Sequence, residues 1–137
     1  MVTKVILDVD TGTDDAVALM IAALSPDLEL VGATTVIGNV PCVVCTENTL
    51  RVFYHIGVDV PVHQGMVDPM VRPDFDRTED SEIHGLYLPL PETDRQPTSL
   101  NGVDWLIDTV MASDGDITLV PVGPLTNIGM ALSLIHI

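Results

Sequence analysis

Residues 5–18, VILDVDTGTDDAVA, place four aspartates within eight positions, between a short apolar segment and a longer one. The aliphatic residues 5–7 predict a buried strand, and the run AVALMIAAL at 16–24 predicts a buried helix. Between the two lie Asp8, Asp10, Asp14 and Asp15, with Gly12 allowing a tight turn. Carboxylates crowded at one strand end repel one another unless a cation or protons neutralise them, and Ca²⁺ and Mg²⁺ prefer oxygen ligands. We therefore predict a metal or catalytic site here, although aspartates at 14 and 15 would also suit a helix N-terminus as solvated turn residues.

The composition indicates one α/β domain with an aliphatic core. The chain has 137 residues, of which 47% are hydrophobic and only 4% aromatic. A core of Val, Leu, Ile, Ala and Met suits a parallel sheet that is buried on both faces. The net charge is −15, with five Lys and Arg residues in all. This charge argues against binding to nucleic acid or to an anionic membrane through a basic surface, and it suits a site that attracts a cation.

The beginning of the chain gives an expectation about its location. The N-terminus, MVTKVILDVD, reaches its acidic residues too soon for a secretory signal. The longest apolar run, residues 16–24, is too short to span a bilayer. We therefore expect a soluble protein of the cytoplasm.

Two cysteines, Cys42 and Cys45, form a C-x-x-C pair. This spacing occurs in redox dithiols and in one half of a zinc site. The sequence has no second ligand pair with zinc-like spacing, and no aromatic residue precedes the first cysteine as in thioredoxin. We therefore predict reduced thiols in the core of a cytosolic protein.

Strand-like and helix-like apolar segments alternate along the chain, which predicts a Rossmann-like parallel sheet flanked by helices. The predicted strands are 4–9, 28–36, 60–63 and 117–122, and the predicted helices are 14–24, 43–56, 101–112 and a last one starting near 126. The exception is the stretch 64–99, which is rich in Pro, Asp, Glu and Arg and has no sustained period. A connection of that length predicts a functional or mobile loop.

The polar candidates follow strands that end at the same edge of this predicted sheet. Asp8 and Asp10 end the first strand, Asn39 follows the second, and the stretch 121–127 (PVGPLTN) follows the fourth. α/β proteins bind ligands outside the carboxyl ends of parallel strands. We therefore expect these residues to converge, although Asn39 also suits a turn and Thr126 a helix cap.

Four motifs make the sequence resemble the inosine–uridine-preferring nucleoside hydrolases. They are LDVDTGTDDAVAL at 7–19, TTVIGNV at 34–40, HGL at 84–86 and LVPVGPLTNI at 119–128. The resemblance runs over nearly the whole chain with matching spacings, and its D-x-D-x-G-x-D-D motif is highly specific. It implies the nucleoside hydrolase fold and Ca²⁺-dependent hydrolysis of the N-glycosidic bond of ribonucleosides, which releases ribose and the free base.

The resemblance also implies roles for individual residues. Asp10 would be the general base that takes a proton from the attacking water. Asp10 and Asp15 would bind the calcium ion, together with the backbone carbonyl of Thr126. Carboxylates near the sugar would also stabilise the positive charge that develops there as the glycosidic bond breaks.

The ribose and the base have their own candidate residues in this resemblance. Asp14 and Asn39 would hydrogen-bond the ribose hydroxyls, and Asp8 would orient the site without touching the substrate. His84 would line the pocket near the base, and its pKa range suits acid–base work, although a histidine in a polar loop is also an ordinary surface residue.

Two features depart from the pattern of the family. Thr11 stands where the family usually has proline, a change that a turn tolerates. Family members are roughly twice as long as this chain, and its last residues, LTNIGMALSLIHI, stop within an apolar helix-like segment. We therefore expect residues 1–137 to be the truncated N-terminal part of a single nucleoside hydrolase domain. The isolated chain would have little or no activity, and a full-length form would be a homo-oligomer.

Two other functions suit part of the pattern. A haloacid dehalogenase-type phosphatase also begins with a strand and D-x-D, but Thr or Val is expected where this chain has Gly12, and Asp14 and Asp15 would have no role. A module that keeps a ribose or metal pocket without catalysis is the other alternative. Base preference is not readable from these residues.

Overall fold

The computed structural model describes residues 2–72 and 85–135 and contains a parallel sheet of four strands. The strands are β1 (Thr3–Val9), β2 (Leu28–Thr35), β3 (Val62–Gln64) and β4 (Ile117–Pro121). The helices are α1 (Thr13–Leu24), α2 (Cys42–His55), α3 (Gly102–Met111) and α4 (Thr126–Ile135). Every predicted element is present, with bounds that differ by at most two residues, so the Rossmann-like parallel sheet is confirmed.

The strand order is β3-β2-β1-β4, so the chain adds two strands on one side of β1 and then crosses to its other side. All neighbouring pairs are parallel, and the register places Asp8 opposite Thr34 on β2 and opposite Pro121 on β4. The direction of winding reverses between β1 and β4. In α/β folds, such a switch point opens a crevice at the carboxyl ends of the strands.

The alternation of side chains along β1 divides the core into two layers. Val5, Leu7 and Val9 pack in one apolar cluster with residues of α1 and α2, whereas Ile6 packs in a second cluster with residues of α3 and α4. Because successive side chains of a strand point to opposite faces, Asp8 lies on the same face as Ile6. Asp8 therefore lies on the α3 and α4 side of the sheet.

The connection from β3 to α3 is described only in part. Residues 65–72 and 85–101 form no helix, and Ser99 forms an isolated parallel bridge with His63 at the end of the sheet. The extent predicted for the domain stays a prediction. No helix in the described part of the chain is long and apolar enough to cross a membrane.

Candidate active site

The candidate site lies at the switch point, where the turn after β1 meets the turn after β4. The backbone N–H groups of Val122 and Gly123 donate to the carbonyl of Asp8 at 2.9 and 3.2 Å. Gly123 packs so closely that a Cβ there would lie 2.9 Å from the backbone nitrogen of Asp10 and 3.0 Å from its Oδ1. The two turns are therefore in contact although more than a hundred residues separate them.

Asp10 is buried between backbone segments, with 7% of its surface exposed. Its Oδ2 accepts the backbone N–H of Asn39 at 2.8 Å, and the Asn39 side-chain amide donates to the Asp10 carbonyl at 3.2 Å. A Cβ at Gly38 would overlap the Asp10 side chain, so only glycine leaves room for the carboxylate there. The expected convergence of Asp10 and Asn39 is thus observed.

Asp15 is buried in the first turn of α1, whereas its neighbour Asp14 is exposed. The Asp15 carboxylate accepts the backbone N–H of Gly12 at 3.0 Å. Burial raises the pKa of Asp15 to about 6, and the negative charges of Asp10 and Asp14 add to this shift. Asp10 and Asp15 therefore act on each other as neighbouring buried anions, a situation that favours a bound cation or a proton.

Asp8 is completely buried and points to α4. Its Oδ1 accepts the Thr34 hydroxyl at 2.5 Å and the Asn127 side-chain amide at 2.7 Å, while its buried Oδ2 has no hydrogen-bond partner. Burial raises the pKa of Asp8 to about 6 against the lowering effect of these two hydrogen bonds.

The remaining predicted site residues are Thr126 and His84. Thr126 is half-buried and begins α4, next to the buried Asn127. His84 lies outside the described residues. Among residues 2–72 and 85–135, no three side chains of His, Cys, Asp or Glu form a group that could hold a metal ion. A metal ion bound to the described part of the chain would therefore need further ligands, such as backbone carbonyls or water.

Sequence reasoning gave no role to Thr34 or to Asn127, the two partners of the Asp8 carboxylate, although it placed Asn127 at this edge of the sheet within the stretch 121–127. Both stand in motifs that carried the resemblance, TTVIGNV and LVPVGPLTNI, but neither has a charge or a nucleophile that would draw attention. The available signal was position: Thr34 lies at the carboxyl end of β2, and Asn127 ends the polar stretch that follows β4.

Both cysteines are buried free thiols, as predicted. The Cys45 thiol donates to the Val40 carbonyl at 3.4 Å. Burial raises the pKa of Cys42 and of Cys45, so neither is a reactive thiolate near neutral pH. These thiols are part of the packing of α2.

A polar groove of about 520 Å³ lies between α2 and residues 87–100, but none of the predicted site residues that the structure describes lines it. Its Arg51 is held by Glu47 at 2.9 Å and lies over the ring of Tyr87, 4.8 Å from the centroid. The carboxylates at the switch point, not this groove, have the chemistry of a catalytic site.

A parallel α/β sheet with buried carboxylates at its switch point is the arrangement in which proteins of the α/β class bind ligands. Comparison with known sequences gives the family. The sequence model described as inosine-uridine preferring nucleoside hydrolase matches residues 5–135, so the chain belongs to this family. The membership confirms the resemblance and argues against the phosphatase alternative.

Similar proteins and structures are nucleoside hydrolases. The pyrimidine-specific ribonucleoside hydrolase RihB of Escherichia coli (strain SE11) is 45% identical over 138 residues, which cover 96% of this chain and 42% of RihB. The structure of a purine-preferring ribonucleoside hydrolase from Gardnerella vaginalis has a TM-score of 0.88 at 33% identity, covering 96% of this chain and 44% of that one. A plant nucleoside hydrolase has a TM-score of 0.85 at 35% identity, covering 96% and 43%. The chain thus spans less than half the length of each.

Proposed function

We propose that the switch-point site binds Ca²⁺ and a ribonucleoside and directs hydrolysis of the N-glycosidic bond to ribose and free base. The observation that carries this proposal is the pair of buried carboxylates, Asp10 and Asp15, at the carboxyl edge of a nucleoside hydrolase sheet. Their mutual repulsion disfavours the doubly ionised state unless a cation lies between or beside them.

Calcium suits the donors that this chain offers. Ca²⁺ takes six to eight oxygen ligands in flexible geometry, from carboxylates, backbone carbonyls and water. Asp10 after β1, Asp15 in the first turn of α1 and the carbonyl of Thr126 at the start of α4 would supply oxygens. When bound, calcium would supply a positive charge that orients water and ribose hydroxyls.

Asp10 is the proposed general base. Its Oδ2 already accepts the Asn39 N–H, which fixes the plane of the carboxylate before substrate arrives. A carboxylate held in this way can take a proton from the attacking water while its charge, with that of Asp15, stabilises the cationic sugar in the transition state. The close packing of Gly38 and Gly123 against Asp10 limits its movement.

Asp14 and Asn39 are the proposed contacts to the ribose hydroxyls. Asp14 is exposed at the start of α1, and Asn39 is half-buried beside Asp10. Fixing both hydroxyls would set the anomeric carbon relative to Asp10, and such positioning can contribute several kcal/mol to catalysis. His84 stays a proposed residue near the base. We propose ribonucleosides as a class, because RihB is named pyrimidine-specific and the Gardnerella enzyme purine-preferring.

A second candidate function is binding of ribose and metal without catalysis. It is favoured by one observation: in the described part of the chain, no third carboxylate, thiol or imidazole joins Asp10 and Asp15 as a metal ligand. With a short ligand set, binding would be weak and turnover slow.

One experiment separates these functions. The purified 137-residue chain would be assayed for release of ribose from inosine and from uridine, with Ca²⁺ or with EDTA, beside full-length RihB. Its melting temperature would be measured under the same conditions. The variants would be Asp10→Asn and, as a control at a distant exposed carboxylate paired with Lys4, Asp116→Asn.

We expect Ca²⁺ to raise the melting temperature of the chain and of Asp116→Asn but not of Asp10→Asn. Because the chain spans 42% of RihB, we expect its turnover to be well below that of RihB. Turnover comparable to RihB would reject the non-catalytic function. If neither a calcium-dependent shift nor ribose release occurred, both candidates would be wrong.

A further inference from the structure

The side chain of Asn127 forms hydrogen bonds with β1, with β2 and with the chain just after β3. Asn127 is the second residue of α4, which follows the turn after β4. Its Nδ2 donates to Asp8 Oδ1 on β1 at 2.7 Å and to the Thr35 carbonyl on β2 at 2.9 Å. Its Oδ1 accepts the backbone N–H of Met66, just after β3, at 2.8 Å. No other hydrogen-bonding side chain described above reaches so many strands.

These contacts are made in a fully enclosed position. Asn127 has no exposed surface, and both Nδ2 hydrogens and the Oδ1 oxygen have partners. A Cβ at Gly65 would overlap the Asn127 amide and lie 2.6 Å from the Thr35 carbonyl. Glycine at 65 is thus required for the chain after β3 to approach the amide.

One hydrogen bond and one peptide bond link Asn127 to the proposed calcium ligands. Asp8, whose carboxylate Asn127 holds, is separated from Asp10 by one residue. Thr126, whose carbonyl is a proposed ligand, shares a peptide group with Asn127. A displacement of Asn127 would therefore be transmitted to both sides of the switch point through short stretches of backbone.

We propose that Asn127 is a positioning residue of the site: it sets the spacing between the turn that carries Asp10 and the carbonyl of Thr126. The expected effect on calcium affinity rests on the proposed function. The positioning of the strand ends rests on the hydrogen bonds of Asn127 alone. Groups that orient metal ligands typically change metal affinity by 10–100-fold when removed.

Two substitutions test different halves of this arrangement. Asn127→Asp keeps the shape and the acceptor for the Met66 N–H, but it replaces the NH₂ donor with an oxygen that faces Asp8 and the Thr35 carbonyl. Asn127→Ser removes all three contacts. Leu106→Ala is the matched control, because Leu106 is buried in the α3 and α4 layer and has an apolar side chain that takes no part in the hydrogen bonds of Asn127.

Two readouts apply to each variant. The first is amide hydrogen exchange in the calcium-free chain, at Met66, Val122 and Gly123. The second is the calcium dissociation constant, obtained from the dependence of the melting temperature on Ca²⁺ concentration. We expect Asn127→Ser to speed exchange at all three amides, and Asn127→Asp to speed it at Val122 and Gly123. Both should weaken calcium binding about tenfold or more.

Leu106→Ala should lower the melting temperature but leave the calcium dissociation constant unchanged. The proposal is overturned if the amides of Val122 and Gly123 exchange no faster in the Asn127 variants than in Leu106→Ala. It is also overturned if folded Asn127 variants bind calcium as tightly as the original chain. If the original chain binds no calcium, the proposed function fails, and hydrogen exchange alone decides whether Asn127 positions the strand ends.

Discussion

The imidazole of His63 lies flat against the indole of Trp105, with ring centroids 4.0 Å apart and planes inclined by 13°. The stack joins β3 to α3, and His63 Nδ1 lies 2.8 Å from the Ser99 hydroxyl. The other ring nitrogen, Nε2, is buried without a hydrogen-bond partner. Burial therefore lowers the pKa of His63 and favours its neutral form.

This stack predicts a pH-dependent fluorescence signal. Trp105 is the single tryptophan, and a protonated imidazole in contact with indole quenches its emission. The stability that the neutral imidazole contributes is complete above the ordinary histidine pKa of about 6.5 and is lost as pH falls below it. We expect emission and stability to fall together at acidic pH. His63→Phe keeps the stack without titrating, so an unchanged acid transition in that variant would contradict the assignment.

The raised pKa of Asp15 predicts that the proposed binding of calcium weakens in acid. With a pKa of about 6 in the calcium-free chain, Asp15 must lose a proton before it can bind the ion. If one proton is displaced, the dissociation constant should be about tenfold larger at pH 5 than at pH 7.5. Isothermal titration at both pH values measures this ratio. Equal affinity at the two pH values would show that Asp15 does not bind the metal.

Gly38→Ala tests the close packing around Asp10. The added methyl group would overlap the Asp10 carboxylate and push it away from the Asn39 N–H. We expect loss of most calcium affinity, measured from the shift in melting temperature with Ca²⁺.

The control for Gly38→Ala is Gly57→Ala. Gly57 has a φ of +71° and no neighbouring atom within 4 Å of an added Cβ, so alanine there is strained but remote from the site. It should cost about 1 kcal/mol of unfolding free energy and leave calcium affinity unchanged. Equal calcium affinity in Gly38→Ala and Gly57→Ala would mean that Asp10 tolerates displacement.

Thr34→Val tests the hydrogen bond to the buried Asp8 carboxylate. Valine keeps the volume but removes a hydroxyl that lowers the pKa of Asp8, so its cost should be larger once Asp8 is ionised, above about pH 6. We expect a loss of about 1–3 kcal/mol at pH 8 and a smaller loss at pH 5, measured by urea unfolding. Thr34→Ser keeps the hydroxyl and should show a cost that does not change with pH.

The strands and helices could be predicted because their signals are local. The apolar run before Asp8 and the acidic turn before α1 mark the ends of both elements, and the structure places them within one residue. The meeting of Asp10 with Asn39 could also be predicted, since both follow parallel strands. Alternation of apolar segments was sufficient for these conclusions.

The contacts of Asn127 could not be predicted in the same way. They depend on β4 lying beside β1, and a β-α alternation is compatible with several strand orders. The different burial of Asp14 and Asp15 also escaped prediction, because it depends on which face of α1 meets the sheet. Such information is in the packing of distant segments rather than in any local pattern.

The hydrogen bond between Asp8 and Asn127 spans 119 positions of the chain, and it has a consequence for folding. During synthesis β1 emerges first, but its partner β4 and the Asn127 amide follow only after the described elements α1, β2, α2, β3 and α3 have been made. Closing so long a loop is slow, because its entropy must be lost before the contact forms. The carboxylate of Asp8 therefore stays in contact with water until β4 and α4 have been made, so its hydrogen bond to Asn127 forms late in folding.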